Sequence, residues 1–129
     1  MLWATFSCSP WTLYINTDIK MKPVELLGDS LDRLRAFPEG ARHDAGFQLE
    51  RVQRGLDPDD WKPMKSIGPG VREIRVRDAA GAFRVIYIAT WADAVYVLHA
   101  FQKKTQQTSK RDLMIAETRF RTLRRSATR

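Results

Sequence analysis

Three apolar runs dominate the second half of the chain: Val71–Arg77, Ala82–Thr90 and Ala94–Gln102. They are rich in β-branched and aromatic residues, which favour β-strands. The connections between them, residues 78–81 and 91–93, are so short that they can join only neighbouring antiparallel strands. The pattern therefore predicts a three-strand meander.

Polar and apolar residues alternate along the first of these strands. The alternation places Ile74 and Val76 on one face and Glu73, Arg75 and Arg77 on the other. A strand face with so much charge is expected to look towards solvent or towards an anion. We therefore expect the meander to be a core on one side and a candidate polyanion surface on the other.

Helical spacing appears on both sides of the meander. A short extended run, residues 22–27, precedes two helices: one capped at Asp29 or Ser30, and one over about 41–54 that stops at Gly55. Their expected inward residues are Leu31, Leu34, Phe37, Ala45, Leu49 and Val52. These helices form a hairpin that can cover the apolar face of the meander.

A third helix is predicted after the meander. Ser109 with Asp112 resembles a capping box, and the helix runs to about residue 124. Its expected inward residues are Leu113, Ala116, Phe120 and Leu123. Residues 56–64 are predicted to be a loop. The fold class is therefore α+β: a small, mostly antiparallel sheet with an N-terminal helical hairpin and a C-terminal helix.

The first twenty residues differ in character from the rest. They are apolar and aromatic but interrupted by serine and proline, so they are typical of neither a signal peptide nor a transmembrane helix. Residues 11–16 could be an extra edge strand. We favour the other interpretation, that Met21 is the natural start and 1–20 an extension. The domain is then 21–125, followed by a basic tail at 126–129.

Composition excludes several classes of site. With 43% hydrophobic and 29% charged residues the chain is typical of a globular protein. Its single cysteine, Cys8, excludes a disulfide framework and a multi-cysteine zinc site, and two histidines disfavour a histidine-rich metal site. We expect no metal, no cofactor and no membrane segment, and a reducing cytoplasm as the location.

The positive charge is confined to one end of the chain. Nine basic and two acidic residues lie between Lys103 and Arg129, which accounts for the whole net charge of +7. A patch of this kind suits phosphates, although a solvated helix face with a basic tail would have the same composition.

The remaining inventory suits phosphodiester chemistry without a metal. No Ser-His-Asp, Cys-His or dinucleotide motif can be assembled from the sequence. Arginines can clamp a scissile phosphate, a carboxylate or a group of lowered pKa can deprotonate an RNA 2′-hydroxyl, and aromatic rings can stack on bases. RNA carries its own nucleophile, so the protein mainly positions and neutralises.

Each candidate also has a purely structural interpretation. Glu73 and Arg75 could form an ion pair without a function. Arg84 shares a strand face with Ile86 and Ile88, and an arginine in such a position indicates a functional rather than a structural role. His99 is more typical of a core edge than of a catalyst. Two alternatives also remain for the other candidates. The rings of Tyr87 and Phe101 either belong to the core or stack on a base. Lys103 and Lys104 are either a solvated strand end or a phosphate contact.

Three short motifs carry a resemblance to a known family: Glu73-Ile74-Arg75, Phe83-Arg84 and Phe101-Gln102-Lys103-Lys104. With Leu34…Phe37-Pro38 and Leu49…Gln53…Gly55 upstream, residues 22–125 resemble the phage-derived, HigB-type branch of the RelE/ParE toxin superfamily. The resemblance implies a RelE-like fold and a type II toxin that cleaves messenger RNA, commonly on the ribosome, and thereby inhibits translation. A helix-turn-helix, HigA-like antitoxin is the implied partner.

The resemblance also implies roles for particular residues. Arg84 and Arg75 become phosphate-binding and transition-state groups, and Glu73 a base or an orienting partner for arginine. The implied RNA contacts are Lys103, Lys104, Lys110, Arg111 and Phe101. The C-terminal histidine or tyrosine that several such toxins use has no counterpart among residues 121–129. Two alternatives remain: a gyrase-inhibiting, ParE-like toxin, and a nucleic-acid-binding module without activity.

Overall fold

The computed structural model describes residues 21–127. In chain order the elements are β1 (Val24–Leu26), α1 (Ser30–Arg35), α2 (Glu39–Gln53), β2 (Trp61–Pro63), β3 (Val71–Asp78), β4 (Gly81–Ile88), β5 (Val95–Lys103) and α3 (Lys110–Ala127). The predicted α+β class, with a helical hairpin before the meander and a helix after it, is confirmed. Both interpretations of residues 1–20 concern a segment outside the described residues.

The five strands form one sheet in the order β1-β5-β4-β3-β2. The strands β3, β4 and β5 are the predicted antiparallel meander, and β1 adds to it by pairing parallel to β5. A bulge between Ile86 and Tyr87 shifts the register of β4 against β5. The sheet is therefore mostly antiparallel, as expected.

One strand was missed. Residues 56–64 are not wholly loop, because Trp61–Pro63 pairs antiparallel with β3 at the edge of the sheet. Three residues are too few for a period-two pattern to be visible, and a proline normally argues against a strand. An edge strand tolerates proline because one side of its backbone has no partner.

Both faces of the sheet are covered, and this corrects the expectation of one open face. The α1–α2 hairpin packs on one face, where Ala45, Leu49 and Val52 are buried as predicted. Phe120 and Ala116 of α3 pack on the other face. Of the inward residues predicted for the first helix, Leu34 and Phe37 are buried, whereas Leu31 is 40% exposed.

The start of α3 has the predicted cap. Ser109 Oγ accepts a hydrogen bond from the backbone N–H of Asp112 at 3.1 Å and donates one to the Asp112 carboxylate at 2.7 Å. The helix continues to Ala127, beyond the expected end near residue 124. Among residues 21–127, no helix is long and apolar enough to cross a membrane.

Candidate functional site

Two arginines face each other across the middle of the sheet. Arg75 of β3 and Arg84 of β4 are register partners, and Glu73 lies two residues before Arg75 on the same face. This is the face on which α3 packs. The β3–β4 pairing therefore brings together the three residues that the sequence singled out as catalytic candidates.

Arg84 is almost completely buried. It is 6% exposed, donates from Nη1 to the carbonyl of Phe83 at 3.1 Å, and holds Nε 3.5 Å from Oε1 of Glu73. That Nε has no geometrically sound hydrogen bond to any described residue. Burial lowers the pKa of Arg84 and the Glu73 carboxylate opposes the shift, but a guanidinium stays charged in proteins. Arg84 is thus a fixed buried cation with an unused donor.

Glu73 is the anion at the centre of the cluster. Although predicted on a charged, outward face, it is 1% exposed, and this is the second correction to that face. Its carboxylate lies 3.5 Å from Arg84 Nε and 3.9 Å from Arg75 Nε, and it accepts a hydrogen bond from Thr108 Oγ1 at 3.4 Å. These distances are long for charge-assisted hydrogen bonds, so Glu73 offsets the charge of the two arginines without satisfying their Nε donors.

Two lysines complete the cluster. Lys103, at the end of β5, is half-buried and pairs in register with Ala82, two residues before Arg84 on the same face. Burial lowers the pKa of Lys103, and the nearby Arg84 lowers it further. Lys62 of β2 is the register partner of Glu73 and was missed because its segment was predicted to be loop. No sequence pattern marked it.

The other predicted basic contacts differ in their position relative to this cluster. Lys104 and Lys110 are exposed after β5 and at the start of α3. Arg111 lies apart from the cluster, in a shallow hollow with Met114 and Arg119, on the side of α3 where Arg119 pairs with an aspartate before α1. The structure therefore does not bring Arg111 together with the arginines of the sheet.

The prediction that Phe101 contacts RNA is not supported by its position. Phe101 is 4% exposed, and its ring stacks on that of His99 at 5.1 Å in the core under α3. It has no free face for a base. His99 is fully buried and its Nε2 lies 2.8 Å from the Asp112 carboxylate, so it lies inside the core rather than at the core edge that the sequence predicted. Tyr87 is also in the core.

A comparison with known protein families identifies the family of the chain. The family described as phage derived protein Gp49-like (DUF891) matches residues 32–121, which include the whole cluster. The chain belongs to this family. The Gp49-like family is related to the toxins of toxin–antitoxin systems. A search of curated proteins found no match.

Among residues 21–127 there is no group of three or more His, Cys, Asp or Glu side chains arranged to hold a metal ion.

Proposed function

We propose that this Gp49-like protein is the HigB-type toxin of a type II toxin–antitoxin system, an endoribonuclease that cleaves messenger RNA without a metal ion. The observation that carries the proposal is the convergence of Arg75, Arg84 and Lys103 around the buried carboxylate of Glu73. Membership of a toxin-related family supports it. The buried Arg84 and the partly exposed Arg75 share the Glu73 carboxylate, and Asp60 lies 4.0 Å from Arg75. With Lys103 the cluster carries more positive than negative charge, and a phosphodiester is an anion that fits two planar guanidinium groups.

The cluster suits attack by a neighbouring ribose hydroxyl. The 2′-hydroxyl gives its proton to solvent as its oxygen forms a bond to phosphorus. The bond from phosphorus to the 5′-oxygen breaks, and that oxygen takes up a proton from solvent, so the products are a 2′,3′-cyclic phosphate and a 5′-hydroxyl. Negative charge grows on the non-bridging oxygens in the transition state. In this proposal Arg84 and Arg75, which are register partners on paired strands, donate to those oxygens.

Glu73 acts in this proposal as an orienting group. A general base must reach the proton that it removes, and a side chain that is 1% exposed beneath Thr108 is poorly placed for that. Its carboxylate instead faces the Nε atoms of both arginines and fixes their planes. Lys103, at the exposed rim, is the cation that first meets the RNA backbone.

The partners follow from the same proposal. The substrate is messenger RNA, commonly ribosome-bound, in the cytoplasm, and a HigA-like helix-turn-helix antitoxin neutralises the toxin. The half-buried Lys103 and the exposed Lys104 at the rim supply the electrostatic attraction to RNA that such a reaction needs.

Induced expression in a bacterial host tests the function. Wild-type protein should arrest growth and produce cut messenger RNA, Arg84→Ala should do neither, and the exposed, distant Arg35→Ala should behave as wild type. DNA damage signalling with intact messenger RNA would support the gyrase-inhibiting alternative and reject ours. RNA binding without arrest would leave a non-catalytic binding module.

A further inference from the structure

A second basic cleft lies between α3 and the loop that joins β2 to β3. It is lined by Ile67, Glu117, Phe120, Arg121, Arg124 and Arg125. The ring of Phe120 packs so closely on Gly68 that helix and loop touch there. Ile67 and Phe120 are both buried and form the floor of the cleft. The RNA contacts that the sequence predicts do not include these residues.

Three of the charged side chains at the rim of this cleft, Glu117, Arg121 and Arg124, have no ion-pair partner among residues 21–127. Within residues 21–127, Glu117 and Arg121 make no hydrogen bond or ion pair, although a glutamate four residues before an arginine on a helix is a favourable pair. Arg124 lies over the ring of Phe120 at 5.7 Å and has no ion-pair partner in the same range. These side chains are therefore available to a ligand that offers both acceptors and donors.

The cleft and the candidate site lie along one side of α3. The helix starts beside Thr108, which contacts Glu73 of the cluster. Lys110, Glu117 and Arg121 are seven and four residues apart, so they project from nearly the same side of the helix. At 1.5 Å per residue, Lys110 and Arg121 are roughly 16 Å apart along the axis. A single strand that leaves the arginine cluster along this side would reach the cleft.

We propose that this cleft binds one nucleotide of single-stranded RNA beside the scissile phosphate and selects its base. Arg121 and Arg124 hold the phosphate, and the Glu117 carboxylate accepts hydrogen bonds from the Watson–Crick edge of the base. Guanine fits best because its edge offers two adjacent N–H donors to the two carboxylate oxygens. The inference rests on the proposed function for its substrate class, while base selection is a separate property.

Binding of short, labelled 2′-O-methyl RNAs that cannot be cleaved tests this cleft. The oligonucleotides contain either one guanine in a uracil run or uracil alone, and dissociation constants are measured over a range of salt concentrations. Arg121→Ala with Arg124→Ala should weaken binding and reduce the log–log salt slope by about 0.7 for each lost contact. Glu117→Gln should reduce the preference for guanine by at least roughly fivefold. The control Arg35→Ala should change neither quantity.

The assignment of the cleft as a nucleotide-binding site is wrong if the double arginine variant binds RNA like Arg35→Ala, or if Glu117→Gln keeps the full preference for guanine. Cleavage of messenger RNA by the same wild-type preparation, measured in parallel, separates the two proposals. A preference for guanine without cleavage would support the nucleotide site in the cleft and reject the proposal of endoribonuclease activity. Cleavage with no effect of the cleft variants on binding would reject the cleft alone.

Discussion

Arg75 and Arg84 are directly opposed across the β3–β4 ladder, so two positive charges occupy one cross-strand pair. Like charges at such positions destabilise a sheet. The carboxylate of Glu73, 3.5 Å from Arg84 Nε and 3.9 Å from Arg75 Nε, offsets part of that repulsion. The arrangement is costly for folding but provides two fixed donor groups, as expected of a site that binds an anion.

Arg84 should be essential for activity, while its loss should lower the stability without unfolding the protein. Removal of one preorganised donor typically costs about 10²–10³ in rate. Arg84→Lys should be nearly as inactive as Arg84→Ala, because an ammonium cannot reproduce the planar fork of a guanidinium. Messenger RNA cleavage, together with a thermal melt followed by circular dichroism, measures both properties. Full toxicity of Arg84→Ala would remove Arg84 from the site, and unfolding would make it structural.

Glu73 should matter more for stability than either arginine does. Glu73→Gln keeps the shape but removes the counter-charge of the buried Arg84 guanidinium. This should cost roughly 3 kcal/mol, the low end of the range for a broken buried pair, because the 3.5 Å contact between them is long. The double variant Glu73→Gln with Arg84→Met removes both charges and should regain much of that loss. Urea unfolding of wild type, Glu73→Gln, Arg84→Met and the double variant gives the coupling energy. Additive losses would contradict the pairing.

The sequence predicted the elements better than it predicted the burial. Hydrophobic periodicity found the meander and the two longer helices because each spans several repeats of its period, while the six-residue α1 was found from its cap residues and its short apolar spacing. It missed β2, which has only three residues, and with it Lys62. The alternation along β3 was right, but whether the charged face was open depended on where α3 packs, and that is a long-range contact without a local signal. Burial of Glu73 and Phe101 followed from that contact.

The charge of Lys103 should limit RNA binding on the alkaline side. Burial and Arg84 lower the pKa of Lys103, so it loses its proton at a lower pH than an ordinary lysine does. Below that pKa the ammonium binds phosphate, and above it the contact is lost. Lys103→Arg should therefore retain affinity for a non-cleavable RNA at alkaline pH where wild type weakens. The exposed Lys104→Arg is the matched control. Identical pH curves for wild type and Lys103→Arg would refute the assignment.

His99 should make the protein less stable in mild acid. Burial lowers the pKa of His99 below its usual value of about 6.5; Asp112 opposes this shift, whereas Arg119 and Arg33 add to it. In mild acid His99 therefore binds a proton more readily in the unfolded chain than in the folded protein. This contribution to stability is complete above about pH 6.5 and declines below it, by at most about 1.4 kcal/mol per pH unit. Urea midpoints at pH 7.5 and 5.5 should differ less in His99→Gln than in wild type. An equal difference would show that another group is responsible.

Two glycines give opposite predictions that test how α3 sits on the β2–β3 loop. A Cβ on Gly68 would lie 2.1 Å from the ring of the buried Phe120, which cannot move away without disturbing the core under α3. Gly68→Ala should therefore destabilise the protein by about 1–3 kcal/mol. Gly46 lies inside α2, and a Cβ there meets nothing within 4 Å. Gly46→Ala should stabilise the protein by about 0.5–1 kcal/mol because alanine favours the helix. Urea unfolding of both variants should give shifts of opposite sign. A neutral Gly68→Ala beside a stabilising Gly46→Ala would mean that the helix and loop are not in contact, and the cleft between them would lose its floor.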